Sequence, residues 1–160
     1  MRKLFATTLL ALAAGLAQGA DRVQVSFADT EKFADFGRSQ WDRERNQKDF
    51  TQMLQELSAK LPANQQLSIK VLDVNLAGEL EWVRRAADEL RVMRNVSWPM
   101  IEFEYQLSEN GKVLKAEKVS LADMSYLQDS FFSVNQSGSW RYEQRMLDRW
   151  FKETVLGKKR

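Results

Sequence analysis

The chain has 160 residues, of which 44% are hydrophobic, with 24 Lys and Arg against 22 Asp and Glu. It contains no histidine and no cysteine. This excludes disulfides, thiolate or imidazole metal sites, a lipid-modified N-terminal cysteine, and catalysis by a Ser-His-Asp or Cys-His system. Any enzyme of this composition would have to use carboxylates, Lys, Tyr or Arg.

The first 20 residues have the layout of a secretory signal peptide. Arg2 and Lys3 precede an apolar stretch over residues 4–17, and small residues follow at Gly19 and Ala20. A basic start, a short hydrophobic stretch and a small-residue cleavage site are typical of exported precursors. The apolar stretch is shorter than the ~20 residues that a membrane-spanning helix needs. We therefore expect residues 1–20 to be removed. The expected product is a periplasmic protein with no lipid anchor or transmembrane segment, forming a single domain over residues 21–160.

Removal of the leader would also balance the charge. The leader carries Arg2 and Lys3 and no acidic residue, so the mature chain would contain equal numbers of basic and acidic side chains. Three of the remaining basic residues form a short C-terminal tail over residues 158–160. Because its charges balance, the mature chain has no net attraction to nucleic acid, and we expect no nucleic-acid partner.

The first half of the mature chain predicts a strand, a helix and a second strand. Alternating apolar residues predict a strand over residues 23–27, and a loop without clear periodicity follows over residues 28–42. Apolar residues at helical spacing predict a helix from about Arg43 to Lys60, which Pro62 ends.

In the next strand, the apolar residues change from odd-numbered to even-numbered positions. Leu67, Ile69 and Val71 alternate with polar residues, but Leu72, Val74 and Leu76 then carry the apolar side, and Gly78 closes the strand. Such a change predicts either burial on both sides or a β-bulge.

Residues 79–89 are compatible with a helix or a loop, because Leu80, Val83, Ala87 and Leu90 have helical spacing. Residues 90–98 alternate as in a strand until Pro99.

A hairpin and a final helix are predicted in the second half. Residues 101–107 alternate cleanly, Asn110-Gly111 is a strong hairpin turn signal, and the chain returns over residues 113–119. Ser120 and Asp123 have the spacing of a loose capping box for a short helix. A Ser- and Gly-rich loop over residues 135–139 precedes a helix over residues 140–156, with Ser139 as its N-cap and Gly157 at its end.

This order predicts an α+β fold with one mostly antiparallel sheet of four to five strands and two helices packed on one face. Glu102, Glu104 and Gln106 are then expected on the opposite, solvent-facing side of the sheet.

An ordered set of motifs carries a family resemblance. The chain resembles domain-of-unknown-function family 3016, a group of secreted proteins of Gram-negative bacteria, over Val23 to Phe151. The motifs are Asp73-Val74-Asn75-Leu76-Ala77-Gly78, Arg91-Val92, Trp98-Pro99, Asp123-Met124 with Tyr126, and Met146-Leu147 with Trp150-Phe151. The resemblance implies an envelope or periplasmic compartment and one domain, and it implies no activity or catalytic residue. It also implies a loop leading into a strand after Gly78, so we favour a loop over residues 79–89.

Asp73 is the most informative candidate residue. It shares strand parity with Leu67, Ile69 and Val71, so without a bulge it would point into the core. A buried carboxylate requires a partner or a proton. Asp73 is therefore either a ligand anchor or acid, together with Asn75, or a structural residue. In the structural case, which we favour, it accepts hydrogen bonds from the turn over residues 76–78 or pairs with Arg91 or Arg94.

The remaining candidates are aromatic, basic and acidic. Arg91 and Trp98 belong to a region rich in Arg and Trp that suits anionic or sugar-bearing polymers, although nearby acidic residues can pair with its arginines. Asp123 is either a helix cap or, with Asp73, half of a two-carboxylate hydrolase pair. The predicted ligand or partner contacts are Asp73, Asn75, Arg91, Trp98, Asp123 and Tyr126.

The sequence therefore favours a non-catalytic envelope protein that binds or supports another component, a protein or a glycan, through one face of its sheet. We expect no cofactor, no metal and no catalytic residue. One alternative is a carboxylate-dependent hydrolase of cell-wall or surface glycans. Another is a homo-oligomeric scaffold that uses the Glu102 and Glu104 face or a free strand edge.

Overall fold

A computed structural model of the chain describes residues 22–84, 88–128 and 140–158. The predicted signal peptide, the loop over residues 135–139 with the Ser139 cap, and the last two residues of the basic tail lie outside these ranges. Within them, no helix combines the length and the apolar character needed to cross a bilayer.

The described residues form six strands and two α-helices. In chain order these are β1 (Val23–Phe27), α1 (Gln40–Glu56), β2 (Gln65–Asn75), β3 (Glu79–Val83), β4 (Asp88–Val92), β5 (Met100–Glu109), β6 (Lys112–Ala122) and α2 (Arg141–Trp150).

Four of the strands form one mixed sheet in the order β1-β2-β5-β6. β1 and β2 run parallel, because α1 connects them as a crossover, whereas β2–β5 and β5–β6 are antiparallel. The Asn110-Gly111 turn joins β5 to β6 with positive φ at both residues, which confirms the predicted hairpin. The α+β prediction is confirmed, with one parallel pair in the mostly antiparallel sheet.

Both helices pack on the same face of the sheet. Leu67, Ile69 and Val71 of β2 lie opposite Leu107, Tyr105 and Phe103 of β5, and all six are buried. Phe50 and Leu54 of α1 and Met146, Leu147 and Trp150 of α2 belong to the same core. The Trp150 ring packs edge-on against Phe103 and Tyr105, with ring centroids 4.8 and 5.1 Å apart. Burial of these aromatic faces holds α2 on the sheet.

A β-bulge explains the parity change in β2. Val71 lies opposite Phe103 while Asp73 lies opposite Glu102, so Leu72 is the extra residue. Beyond it, Val74 and Leu76 are buried, and Asp73 shares the outer face of the sheet with Glu102. The bulge was one of the two predicted explanations, and it removes the need for a buried Asp73.

The predicted loop over residues 79–89 is wrong. β3 and β4 form a separate two-stranded hairpin, in which Leu80 pairs with Arg91 and Trp82 with Glu89. The apolar residues of this hairpin lie on both of its faces, so their spacing imitates a helix. The strand predicted to continue to Trp98 ends at Val92.

The helix bounds also differ from the prediction. α1 begins three residues earlier than predicted because Ser39 caps it: Ser39 Oγ accepts a hydrogen bond from Asp42 N, and the Asp42 carboxylate accepts one from Ser39 N. After Glu56 the chain tightens into a 3₁₀ turn over Leu57–Lys60. α2 continues as a π-helical turn over Phe151–Val155, and Gly157 ends it at φ +64°.

Gly78 lies at the base of the hairpin, and we expect its substitution to lower the stability of the fold strongly. Its φ is +75°, and a Cβ there would lie 2.6 Å from the Val92 carbonyl oxygen. Gly78→Ala should lower the free energy of unfolding in urea by roughly 3 kcal/mol, because a backbone clash adds to the left-handed penalty.

Gly111→Ala is the matched control, since its φ is +80° and nothing lies within 4 Å of the added Cβ. It should cost only about 1 kcal/mol, the left-handed penalty alone. Equal losses in the two variants would show that β4 does not approach Gly78 as closely as described.

Candidate functional site

Five of the six candidate residues are linked to one another at the end of β2. Asn75, Arg91, Trp98, Asp123 and Tyr126 surround the segment Leu76-Ala77-Gly78, where the hairpin, the chain after β6 and α2 converge. Asp73 is separate from this group, on the outer face of the sheet.

Asp73 forms a hydrogen bond that joins a loop to the sheet. Its Oδ1 accepts a hydrogen bond from Ala34 N at 2.8 Å, in the loop between β1 and α1. It pairs with neither Arg91 nor Arg94, since these arginines pair with Asp35 and Glu81. Asp73 therefore accepts a backbone hydrogen bond, but from Ala34 and not from the partners that the sequence predicts.

Arg91 connects the hairpin to the same loop. Its Nη1 donates to Asp35 Oδ2 at 2.7 Å and to the Gly78 carbonyl oxygen at 3.0 Å. Both charged side chains are about three-quarters buried. A charge-assisted bond in this environment is stronger than a surface ion pair, so Arg91 fixes where the hairpin leaves the sheet.

Asn75, Trp98 and Tyr126 complete the support for this region. Asn75 Nδ2 donates to the Trp98 carbonyl oxygen at 3.0 Å. The Tyr126 hydroxyl donates to Arg94 O and accepts from Arg94 N. Its ring meets Tyr142 of α2 edge-on, with centroids 4.7 Å apart, and Trp98 packs against this pair. All three polar interactions hold backbone segments in place.

The helix predicted at Ser120 is wrong, and Asp123 has another role. Ser120 lies within β6, and Asp123 opens a turn in which its Oδ1 accepts from Ser125 N at 3.1 Å. Its Oδ2 accepts from Arg145 of α2 at 2.7 Å. Asp123 therefore lies on the helix-covered side, whereas Asp73 lies on the outer face of the sheet. The two carboxylates therefore bond to different parts of the fold, the loop before α1 and α2.

Glu143 is a buried acid that the sequence analysis missed. It is 1% exposed, and its Oε1 accepts a hydrogen bond from Ala77 N at 2.8 Å. Its Oε2 is buried and has no hydrogen-bond partner among the described residues. Desolvation raises the pKa of the Glu143 carboxyl, against the lowering effects of the Ala77 N–H and of the Arg91 charge. The sequence signal is its position on the apolar stripe of α2, one turn before Met146 and Leu147.

Two concave surfaces lie outside this buried network. The first is a shallow groove of about 590 Å³ on the face of the sheet opposite the helices, which we call the open sheet face. It is lined by two cross-strand rows: Gln24, Ser68, Gln106 and Ala116, and Ser26, Lys70, Glu104 and Lys118.

The second surface is a cleft of about 780 Å³ between the start of α1 and the hairpin, which we call the α1–hairpin cleft. Arg38, Asp42 and Arg45 line its helix side, and Leu80, Glu89 and Arg91 line its hairpin side. Arg91 is the one sequence-predicted residue that reaches it. Within the described ranges, no group of three or more acidic side chains is arranged to hold a metal ion.

A comparison with known protein families assigns the chain to one of them. A family described as "Protein of unknown function (DUF3016)" matches residues 21–153. The chain belongs to this family. The match confirms the resemblance carried by the motifs between Val23 and Phe151. No curated protein and no solved structure matches the chain.

Because Glu143 is buried, we expect the difference in stability between this DUF3016 protein and its Glu143→Gln variant to depend on pH. Below the ordinary value of 4.5 the carboxyl is protonated in both the folded and unfolded states. As the pH rises above it, the unfolded chain ionises first, so the wild type loses stability until the pH passes the raised folded pKa. Glu143→Gln cannot ionise and keeps an oxygen for Ala77 N, so its stability relative to the wild type should grow across this window.

Urea unfolding at a series of pH values measures this difference. Glu56→Gln, on the exposed surface of α1, controls for the loss of one negative charge. A Glu143→Gln variant whose stability relative to the wild type is independent of pH would contradict the raised pKa of the buried Glu143 carboxyl.

Proposed function

We propose that this protein is an exported, non-catalytic module of the cell envelope that binds another envelope protein on its open sheet face. The sequence of residues 1–20 and the compartment implied by the family resemblance support export. The lack of histidine and cysteine supports a binding role.

The observation that carries this proposal is the two-layer arrangement of the described residues. Both helices pack on one face of the four-stranded sheet, and among residues 22–84, 88–128 and 140–158 the opposite face presents only side chains of the strands. Antiparallel sheets are commonly solvated on one face, so a polar outer face alone indicates nothing. The groove is the additional feature, because it gives this face a concave shape that a partner can fill.

The chemistry of the two rows indicates the kind of partner. In the first row, Ser68 and Ala116 are small and uncharged and form the floor of the groove. In the second row, Lys70, Glu104 and Lys118 lie directly beside one another in register. This positive, negative, positive order selects a surface with the complementary order and rejects polymers of a single charge. A folded protein or extended peptide with mixed charges fits it.

Photo-crosslinking in intact cells tests this surface. A benzoylphenylalanine placed at Ser68, on the exposed floor, should give a crosslinked product of higher mass. The same group at Gln55, exposed on α1, should not give that product. Mass spectrometry of the product identifies the partner, and a second copy of this chain would support the homo-oligomeric scaffold instead.

A blocking substitution provides the internal control. Ala116→Arg places a long side chain on the groove floor and should lower the Ser68 crosslinking yield about tenfold, equivalent to about 1.4 kcal/mol of binding free energy. Ala59→Arg adds the same side chain at an exposed position after α1 and should leave the yield unchanged. Equal yields in all variants would remove the open sheet face from consideration.

Cell fractionation tests the compartment separately. The wild-type chain should accumulate in the periplasmic fraction without its first 20 residues, as read by N-terminal sequencing. A chain lacking residues 2–20 should stay in the cytoplasm. Recovery of the uncut wild-type chain in the cytoplasm would overturn the proposed envelope role.

A further inference from the structure

We propose that the outer edge of β6 binds an extended peptide segment of a partner protein, which adds a strand to the sheet and places alternate side chains in a groove between β6 and α2. This is a second contact surface, and it goes beyond the proposed function because it does not depend on the open sheet face.

β6 is a long strand at the edge of the sheet. It comes last in the order β1-β2-β5-β6 and has 11 residues, whereas β1 at the opposite edge has five. In an antiparallel pair, every second residue turns its N–H and C=O away from the neighbouring strand. Among residues 22–84, 88–128 and 140–158, no strand pairs with the outer side of β6. Its outward peptide groups are therefore a template for another strand.

The hydrophobic core is only partly covered at this edge. Val119 and Leu121 of β6 pack against the core and lie directly opposite Phe103 and Ile101 of β5. The two β5 residues are buried, whereas Val119 and Leu121 are half-buried. A strand added beside β6 would bring its own side chains to about 5 Å from them. Apolar side chains at these positions would complete the burial, which is favourable.

A groove of about 400 Å³ follows this strand, and we call it the edge groove. One wall is the helix-facing row of β6 from Lys115 to Leu121. The other wall is one face of α2 and of the turn that continues it, with Met146, Trp150 and Thr154 spaced by four residues. A groove between an edge strand and a helix suits an added strand, because the backbone pairs with β6 while alternate side chains enter the groove.

The order of side chains along β6 defines the peptide. Lys115 and Glu117 are partly exposed and charged, and they are followed on the same face by Val119 and Leu121. Opposite charges and apolar pairs stabilise a sheet when they lie directly across from each other. We choose antiparallel pairing, which is slightly more stable per residue than parallel pairing. From its N-terminus, the matching segment then has two apolar residues, one basic residue and one acidic residue at alternate positions.

The protective features of this edge are confined to its first half. Natural edge strands resist unwanted pairing by means of bulges and charged side chains, above all lysines. The register of β6 with β5 shifts by one residue at Leu114, and lysines stand at positions 112, 115 and 118. The segment over residues 119–122 has no charge, no proline and no glycine. The second half of β6 is therefore open to pairing, and the charges before it select the partner.

A separate peptide fits this edge better than a second copy of β6 does. Two symmetric antiparallel β6 strands place Lys115 opposite Glu117 in a single register. That register also places Val119 opposite Val113, across the bulge at Leu114. A bulge interrupts the ladder, so self-pairing loses the apolar half of the match. A peptide without a bulge can match all four positions.

Fluorescence anisotropy with a synthetic peptide tests the edge. The probe is a labelled peptide with the core Val-Thr-Val-Thr-Lys-Thr-Glu, and the purified protein should bind it saturably. Two further peptides carry N-methyl groups at alternate residues, one at the odd and one at the even positions. One of them should lose binding and the other should keep it, because only alternate residues of an added strand donate to β6.

A charge exchange tests the register. Glu117→Lys should weaken binding of the probe about tenfold, equivalent to about 1.4 kcal/mol, because two lysines then lie opposite each other. A peptide in which glutamate replaces the lysine should bind this variant as tightly as the probe binds the wild type. Glu56→Lys, exposed on α1, is the matched control and should leave binding of the probe unchanged. Circular dichroism should show both variants folded.

Three results would each overturn the proposal: no saturable binding, equal binding of the two methylated peptides, or no recovery after the charge exchange. Light scattering of the protein alone tests the other occupant. A dimer that Glu117→Lys dissociates would assign the edge to a second copy of the chain instead. The Ser68 crosslink reports on the opposite side of the sheet from the edge groove, so failure of one proposal is distinguishable from failure of the other.

Discussion

The peptide groups of Ala77 and Gly78 are the constraint on which the rest of this structure depends. Where β2 ends, these groups leave the sheet ladder, and buried peptide groups need partners. Glu143 of α2 accepts from Ala77 N, and Arg91 of the hairpin donates to the Gly78 oxygen. The end of β2, the hairpin and α2 are thereby held at one place. The positive φ of Gly78 and its close approach to Val92 complete the junction.

This junction gives each of the conspicuous polar residues a structural partner. Asn75, Arg91, Asp123 and Tyr126 each satisfy a backbone group or a buried charge, which gives them strict positional requirements without any ligand. Polar residues within apolar motifs attract functional interpretation, and here each of them also has a hydrogen-bonding role in the fold. The concave surfaces are instead built largely from ordinary exposed residues, such as Ser68 and Ala116 on the sheet and Arg38 and Glu89 at the cleft.

The two concave surfaces have different physical origins. The open sheet face follows from the two-layer arrangement, because both helices lie on the opposite side. The α1–hairpin cleft follows from the junction, because Arg91 and Asp35 set the position of the hairpin relative to the loop before α1. A change that moves the hairpin should therefore alter the cleft and leave the sheet face intact.

The sequence by itself determined the elements whose signals are local: the alternation of β1, β5 and β6, the Asn110-Gly111 turn, the apolar stripes of both helices and the family motifs. It also restricted β2 to two interpretations, one of them a bulge. Only the tertiary structure decided what depends on distant partners. The parallel pairing of β1 with β2, the bonds of Asp73 to Ala34 and of Asp123 to Arg145, and the burial of Glu143 against Ala77 all join residues far apart in the chain. Sequence spacing cannot predict them, because register and burial are set by the packing of the whole fold.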